Sequence, residues 1–136
     1  MDTLFAFLTA EETATLLEAA QSRNFEAGDI IIAQNTPVTE MYLLERGSVS
    51  VERENGPQAV ELAVLWRNEV FGEISFVDGN PTSARVVARE PTGVKVISRD
   101  LVTSFDATDQ TFSMRFYRSL AAILADRLRA TSLKVW

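Results

Sequence analysis

Residues 48–66 read SVSVERENGPQAVELAVLW, and this stretch restricts the fold more than any other. Ser48 to Arg53 opens with a Ser-Val-Ser-Val alternation, a period of two that suits a half-buried strand and no helix. Asn55-Gly56-Pro57 is a turn, and Gln58 to Trp66 runs back as a second strand. Similar units flank this hairpin. FEAGDIIIAQ, from Phe25 to Gln34, is β-branched and entered through Ala-Gly-Asp. Met41 to Glu45 is a short strand closed by Gly47. Arg85 to Glu90, a Pro91-Thr92-Gly93 turn and Val94 to Ser98 form a later pair. Short strands at regular spacing predict an antiparallel sandwich or barrel.

Both ends of the chain have a different texture. Thr9-Ala-Glu-Glu12 is a capping box, a hydroxyl followed three residues later by a glutamate, and it predicts a helix from about Ala10 to Arg23. Beyond Arg99 a short helix is expected over Asp100 to Phe105. A longer one follows from about Asp109 to Ala130, with Phe112, Phe116, Leu120, Ile123, Leu124 and Leu128 at helical spacing. Such a stripe buries against the β body or a partner subunit, so self-association through this helix is one expectation. The chain is expected to be a single domain over residues 1–136: helix 10–23, β-roll 25–98 and C-terminal helices 100–130.

Composition removes several kinds of chemistry. The 136 residues include no histidine and no cysteine, so the commonest general base, the commonest metal ligand and all thiol chemistry are absent. The carboxylates form no recognisable acid/base pair, and an enzyme is not expected. The net charge of −6 is uneven. Residues 110–136 carry five basic residues and Asp126, or +4, which leaves −10 for residues 1–109. An acidic body argues against direct DNA binding. The N-terminus has no basic start, and the longest apolar run, Leu120 to Ala125, is far short of the ~20 residues of a membrane span. A cytoplasmic protein without a membrane span is expected.

The stretch FGEISFVDGNPTSARVVA, residues 71–88, has the makings of an anion cradle. Gly72 permits close backbone approach. One helical turn over Glu73 to Val77 would aim unpaired amides at a common point, as phosphate sites do. A glutamate beside a phosphate is explicable if it accepts hydrogen bonds from sugar hydroxyls, as in dinucleotide sites. The alternative is a plain turn with Glu73 as an N-terminal helix charge.

This stretch resembles the phosphate-binding cassette of cyclic-nucleotide-binding domains. FEAGDIIIAQNTPVTEMYLLERGSVSV is similar to the other hallmark of that family, with Gly28, Asp29, Gln34, Tyr42 and Gly47 in the matching places. The resemblance implies a mainly β fold: an eight-stranded antiparallel jelly roll, or double-stranded β-helix, with an N-terminal helix and C-terminal helices. It implies cAMP or cGMP as the ligand and a C-terminal helix that reports occupancy. Carried over by position, Gly72 and Glu73 match the Gly-Glu pair, with Glu73 on the ribose. Ile74 and Ser75 supply backbone donors, Ser83 and Ala84 a hydroxyl and an amide for the phosphate, and Val86 and Ala88 the following strand. A hydrophobic residue of the last helix caps the base, with Leu128, Leu133 and Trp136 as candidates.

Three positions depart from the family. The phosphate-pairing arginine falls at Thr82, the Gln-Gly corner has become Gln34-Asn35, and Arg85 stands where threonine or an apolar residue is usual. A hydrogen bond to a charged group contributes about 1.5–3 kcal/mol, so the Thr82 exchange predicts weak or lost cyclic-nucleotide affinity. Asp78 adds a further negative charge. Arg85 could replace the missing cation if it points inward. Asparagine tolerates the left-handed backbone, so Asn35 should preserve the corner. The expected function is that of a non-enzymatic regulatory sensor. The alternatives are a ligand-free dimerisation or protein-docking module and, less favoured because the chain stops at Trp136 near where a helix-turn-helix would begin, the ligand domain of a transcription regulator cut from a longer chain.

Overall fold

The computed structural model describes residues 4–131. It contains eight strands in two four-stranded antiparallel sheets, with helices before and after them in the chain. The chain divides into two compact units, Ala20–Arg99 and the described parts of Met1–Ala19 with Asp100–Trp136.

The first unit holds all the strands: β1 (Gln21–Phe25), β2 (Ile30–Ile32), β3 (Glu40–Arg46), β4 (Val49–Asn55), β5 (Gln58–Leu65), β6 (Val70–Phe71), β7 (Arg85–Ala88) and β8 (Thr92–Ser98). One sheet runs β1-β8-β3-β6 and the other β2-β7-β4-β5. This is the expected jelly roll. Its core is built by alternate residues of both sheets: Ile32, Tyr42, Leu44, Val49, Phe71, Val86, Val94 and Val96. The Tyr42 and Phe71 rings stack at 5.1 Å. Gly47 has φ +83, and a Cβ there would lie 2.5 Å from the Pro91 carbonyl oxygen, so the β3–β4 corner admits only glycine.

Strand pairing corrects the length of the first helix. The capping box forms as expected, with the Thr9 amide donating to Glu12 Oε1 and the Glu12 amide to Thr9 Oγ1. The helix α1, however, ends at Ala19 and not near Arg23. Gln21 to Phe25 pair with Val96 to Thr92 of β8. No breaker marks this boundary in the sequence; ladder hydrogen bonds override weak local preference. Similarly, the run expected from Phe25 to Gln34 breaks into β1 and β2 around Gly28 and Asp29, which bond Ala88 of β7 through Gly28 N–H and the Asp29 carbonyl. The two-residue β6 was not anticipated. Thr92 and Gly93, expected in a turn, begin β8.

Among the described residues the second unit contains α1 (Ala10–Ala19), most of α3 (Arg99–Ser104, whose first residue ends the strand unit), a 3-10 turn at Phe105–Ala107 and α4 (Phe112–Thr131). Phe5 and Phe116 rings meet at 4.9 Å. Arg115 forks onto Glu12, with both N–O distances 2.7 Å, and reaches Asp109 and the Phe7 carbonyl. Ser119 Oγ accepts from the Phe7 amide. None of the described helices is long and apolar enough to cross a membrane.

Hydrogen bonds from Arg115 first, and from the Thr9 amide next, lower the Glu12 pKa from 4.5 to about 2. A depressed carboxylate pKa adds stability that is complete above the unfolded value and is lost as pH falls through the folded one. Glu12→Gln should therefore lower stability at neutral pH by about 1–2 kcal/mol. It should also flatten the decline in melting temperature of the wild-type protein between pH 4.5 and about 2, as measured by thermal denaturation across that range.

Candidate functional site

The cassette folds as a short helix, α2 (Glu73–Asp78), between two left-handed glycines, Gly72 at φ 78 and Gly79 at φ 74. A Cβ on Gly72 would lie 3.2 Å from Ile32 Cδ1 and 3.3 Å from the Glu40 carbonyl oxygen. Positive φ and tight space together explain the glycine. The first helical bond runs from Phe76 N–H to the Gly72 carbonyl, leaving the Ile74 and Ser75 amides without intrahelical acceptors. Glu73 is buried at 5% exposure and is already engaged within the protein. Ser75 is buried, whereas the Ile74 and Val77 side chains are exposed. Beyond α2, Ser83 is exposed and Ala84 partly buried, directly ahead of β7.

Thr82 is a structural clasp. Its hydroxyl donates to the Ala33 carbonyl at 2.6 Å and accepts from the Thr36 amide at 3.1 Å. Its backbone pairs with the same segment, through Thr82 N–H to the Thr36 carbonyl and Asn35 N–H to the Thr82 carbonyl. The side chain is thus committed to the 33–36 corner, where Asn35 has the left-handed φ of 59 expected of it.

Arg85 lies on the outer face of its sheet. It precedes the core residue Val86 on β7, and successive strand residues point to opposite faces. Its guanidinium bonds Glu52 at 2.8 Å and Glu54 at 2.9 Å. The structure brings Gly72, Glu73, Ile74 and Ser75 together on α2, and Thr82, Ser83 and Ala84 on the segment leading to β7, with the Arg85 side chain directed away from the core. Leu128 is exposed on α4, and Leu133 and Trp136 lie outside the described residues.

Two arginines escaped the sequence reading. Arg99, the residue after β8 and the first of α3, donates to the Phe76 carbonyl at 2.7 and 3.0 Å and to the Ser75 carbonyl at 3.3 Å. It caps the C-terminal end of α2, where a cation is favoured. Arg53 Nε lies 3.4 Å from the Ser83 carbonyl oxygen. The parity of Arg53 with Val49 and Val51 was visible in the alternating run; nothing local signalled Arg99.

Residues 22–109 match the family described as Cyclic nucleotide-binding domain. The chain belongs to this family. The chain is similar to the Cyclic AMP receptor protein of Thermus thermophilus, with 33% identity over 97% of the chain and 60% of the receptor. The crystal structure of the Thermus thermophilus catabolite activator protein superposes with a TM-score of 0.82 at 32% identity, covering 96% of this chain and 60% of that one. Glutaminase 2 of Bradyrhizobium diazoefficiens is 32% identical over 97% of the chain, which corresponds to 20% of that protein. The chain spans between 5% and 60% of the length of such curated relatives.

In this cyclic nucleotide-binding domain the Thr82 clasp is testable by itself. Thr82→Val keeps the shape and removes both hydroxyl bonds, so stability should fall by about 1–3 kcal/mol. Urea denaturation measures the loss, and faster hydrogen exchange at the Thr36 amide should locate it.

Proposed function

We propose that this chain is a regulatory module that senses a cyclic purine mononucleotide. The amides of α2 and the Ser83-Ala84 segment receive the phosphate, and Glu73 receives the ribose hydroxyl. The observation that carries this reading is the build of the cassette: a left-handed Gly72, a buried Glu73 in the first helical turn, and Ser83-Ala84 ahead of β7. Relatives are named for cyclic AMP and for cyclic GMP, so both nucleotides belong in the test. Affinity is lower than an arginine at position 82 would give, because that side chain is instead Thr82, bonded to the 33–36 corner. The output passes to the C-terminal helix and from there to a protein partner or a second copy of the chain. The function is regulatory and not catalytic.

A second reading, a ligand-free docking or dimerisation module, is favoured by Met114 and Leu128, which stand 63% and 53% exposed on α4.

Calorimetric titration with cAMP and cGMP separates the two. Wild type should bind at least one nucleotide. Glu73→Gln should weaken that binding roughly 10-fold or more through the lost charge-assisted bond. Silence of wild type at millimolar nucleotide would sink the sensor reading and leave the docking module.

A further inference from the structure

Arg53 occupies a position that strand geometry makes informative. Side chains alternate along β4 without interruption, because the irregularity in its pairing with β5 falls on the partner strand: Val51 faces Ala63 and Glu52 faces Glu61, so Leu62 is the residue passed over. Val49 and Val51 both belong to the core face, the first fully buried and the second packed against the core. Arg53 shares their parity. Ser50, Glu52 and Glu54 take the opposite face, where Ser50 bonds Glu52 and both glutamates hold Arg85.

This alternation separates Arg53 from the carboxylates next to it in sequence. Among the described residues, no carboxylate lies within ion-pair distance of Arg53, although acidic residues outnumber basic ones 19 to 13. Among the described residues its guanidinium bonds the Ser83 carbonyl oxygen alone, on the residue that the cassette uses for phosphate. The backbone at this point is held. The Gln34 side chain accepts from the Glu54 amide at 2.7 Å and donates to the Glu54 carbonyl at 3.4 Å, which fixes the end of β4 beside the 33–36 corner that Thr82 clasps.

We infer that Arg53 is the phosphate-binding cation of this domain, reaching the Ser83-Ala84 segment from strand β4 in place of an arginine at position 82. The inference rests on the cyclic-nucleotide reading above. A guanidinium presents a planar fork that matches phosphate oxygens in pairs. Only Nε is engaged by the Ser83 carbonyl, so the Nη edge remains available to an anion. Arg53 is exposed, so its contribution is screened by salt.

The test is calorimetric titration of wild type, Arg53→Gln, Arg53→Lys and Arg67→Gln with cAMP and cGMP. Arg67 is an exposed arginine between β5 and β6, and its variant controls for general loss of charge. Arg53→Gln should weaken binding roughly 10- to 150-fold, Arg53→Lys should recover part of the loss, and Arg67→Gln should match wild type. Raising salt from about 0.1 to about 1 M shortens the Debye length from about 10 to about 3 Å. Over that range wild-type affinity should drop towards that of Arg53→Gln, whose own affinity should change less. Equal binding by wild type and Arg53→Gln would overturn this inference and leave the sensor reading intact. An equal loss in Arg67→Gln would overturn it too, by showing a nonspecific charge effect. Wild type silent towards both nucleotides would overturn both conclusions together.

Discussion

Side chains on β4 and β7 point alternately to the two faces of one sheet, and the electrostatics of the cassette follow from this. Val49, Val51, Val86 and Ala88 share the core side, while Ser50, Glu52, Glu54 and Arg85 share the other. The register Glu52↔Arg85 sets opposite charges directly across the ladder, an arrangement that stabilises antiparallel pairs. A one-residue slip would turn all of these side chains over. The buried valines hold the register, and the register decides which arginine is matched by acid and which faces the cassette.

The cassette itself is held at three points by different means. Gly72 supplies a backbone conformation and a clearance that no other residue combines. Thr82 binds the 33–36 corner through side chain and backbone alike. Arg99 closes the far end of α2 on the last carbonyls. A helix of six residues has little stability alone, so these outside contacts account for its persistence.

Much of this was legible in the sequence, and the failures have physical causes. Alternation in residues 48–66 revealed the β4–β5 hairpin, because a half-exposed strand writes its two faces into its sequence. The Thr9–Glu12 capping box was equally legible, being a local interaction. The end of α1 was not, because Gln21 to Phe25 become strand through partners some seventy residues away in sequence. Gly72, Glu73, Ser83 and Ala84 could be placed by motif. The direction of Arg85 could not, since it required knowing that Val86 faces the core. Thr82 read as a lost function, and only the fold shows its structural work.

The helical unit joins residues that precede all the strands to residues that follow them. Ser119 receives the Phe7 amide and Arg115 grips Glu12, contacts separated by 112 and 103 residues. During synthesis α1 leaves the ribosome long before α4 exists, and an isolated helix of ten residues is marginal in water. The strands can pair first, while Phe5 waits for its partner Phe116. Contacts of such high sequence separation fold slowly, so the nascent chain exposes an apolar surface for chaperones to shield until α4 has been made.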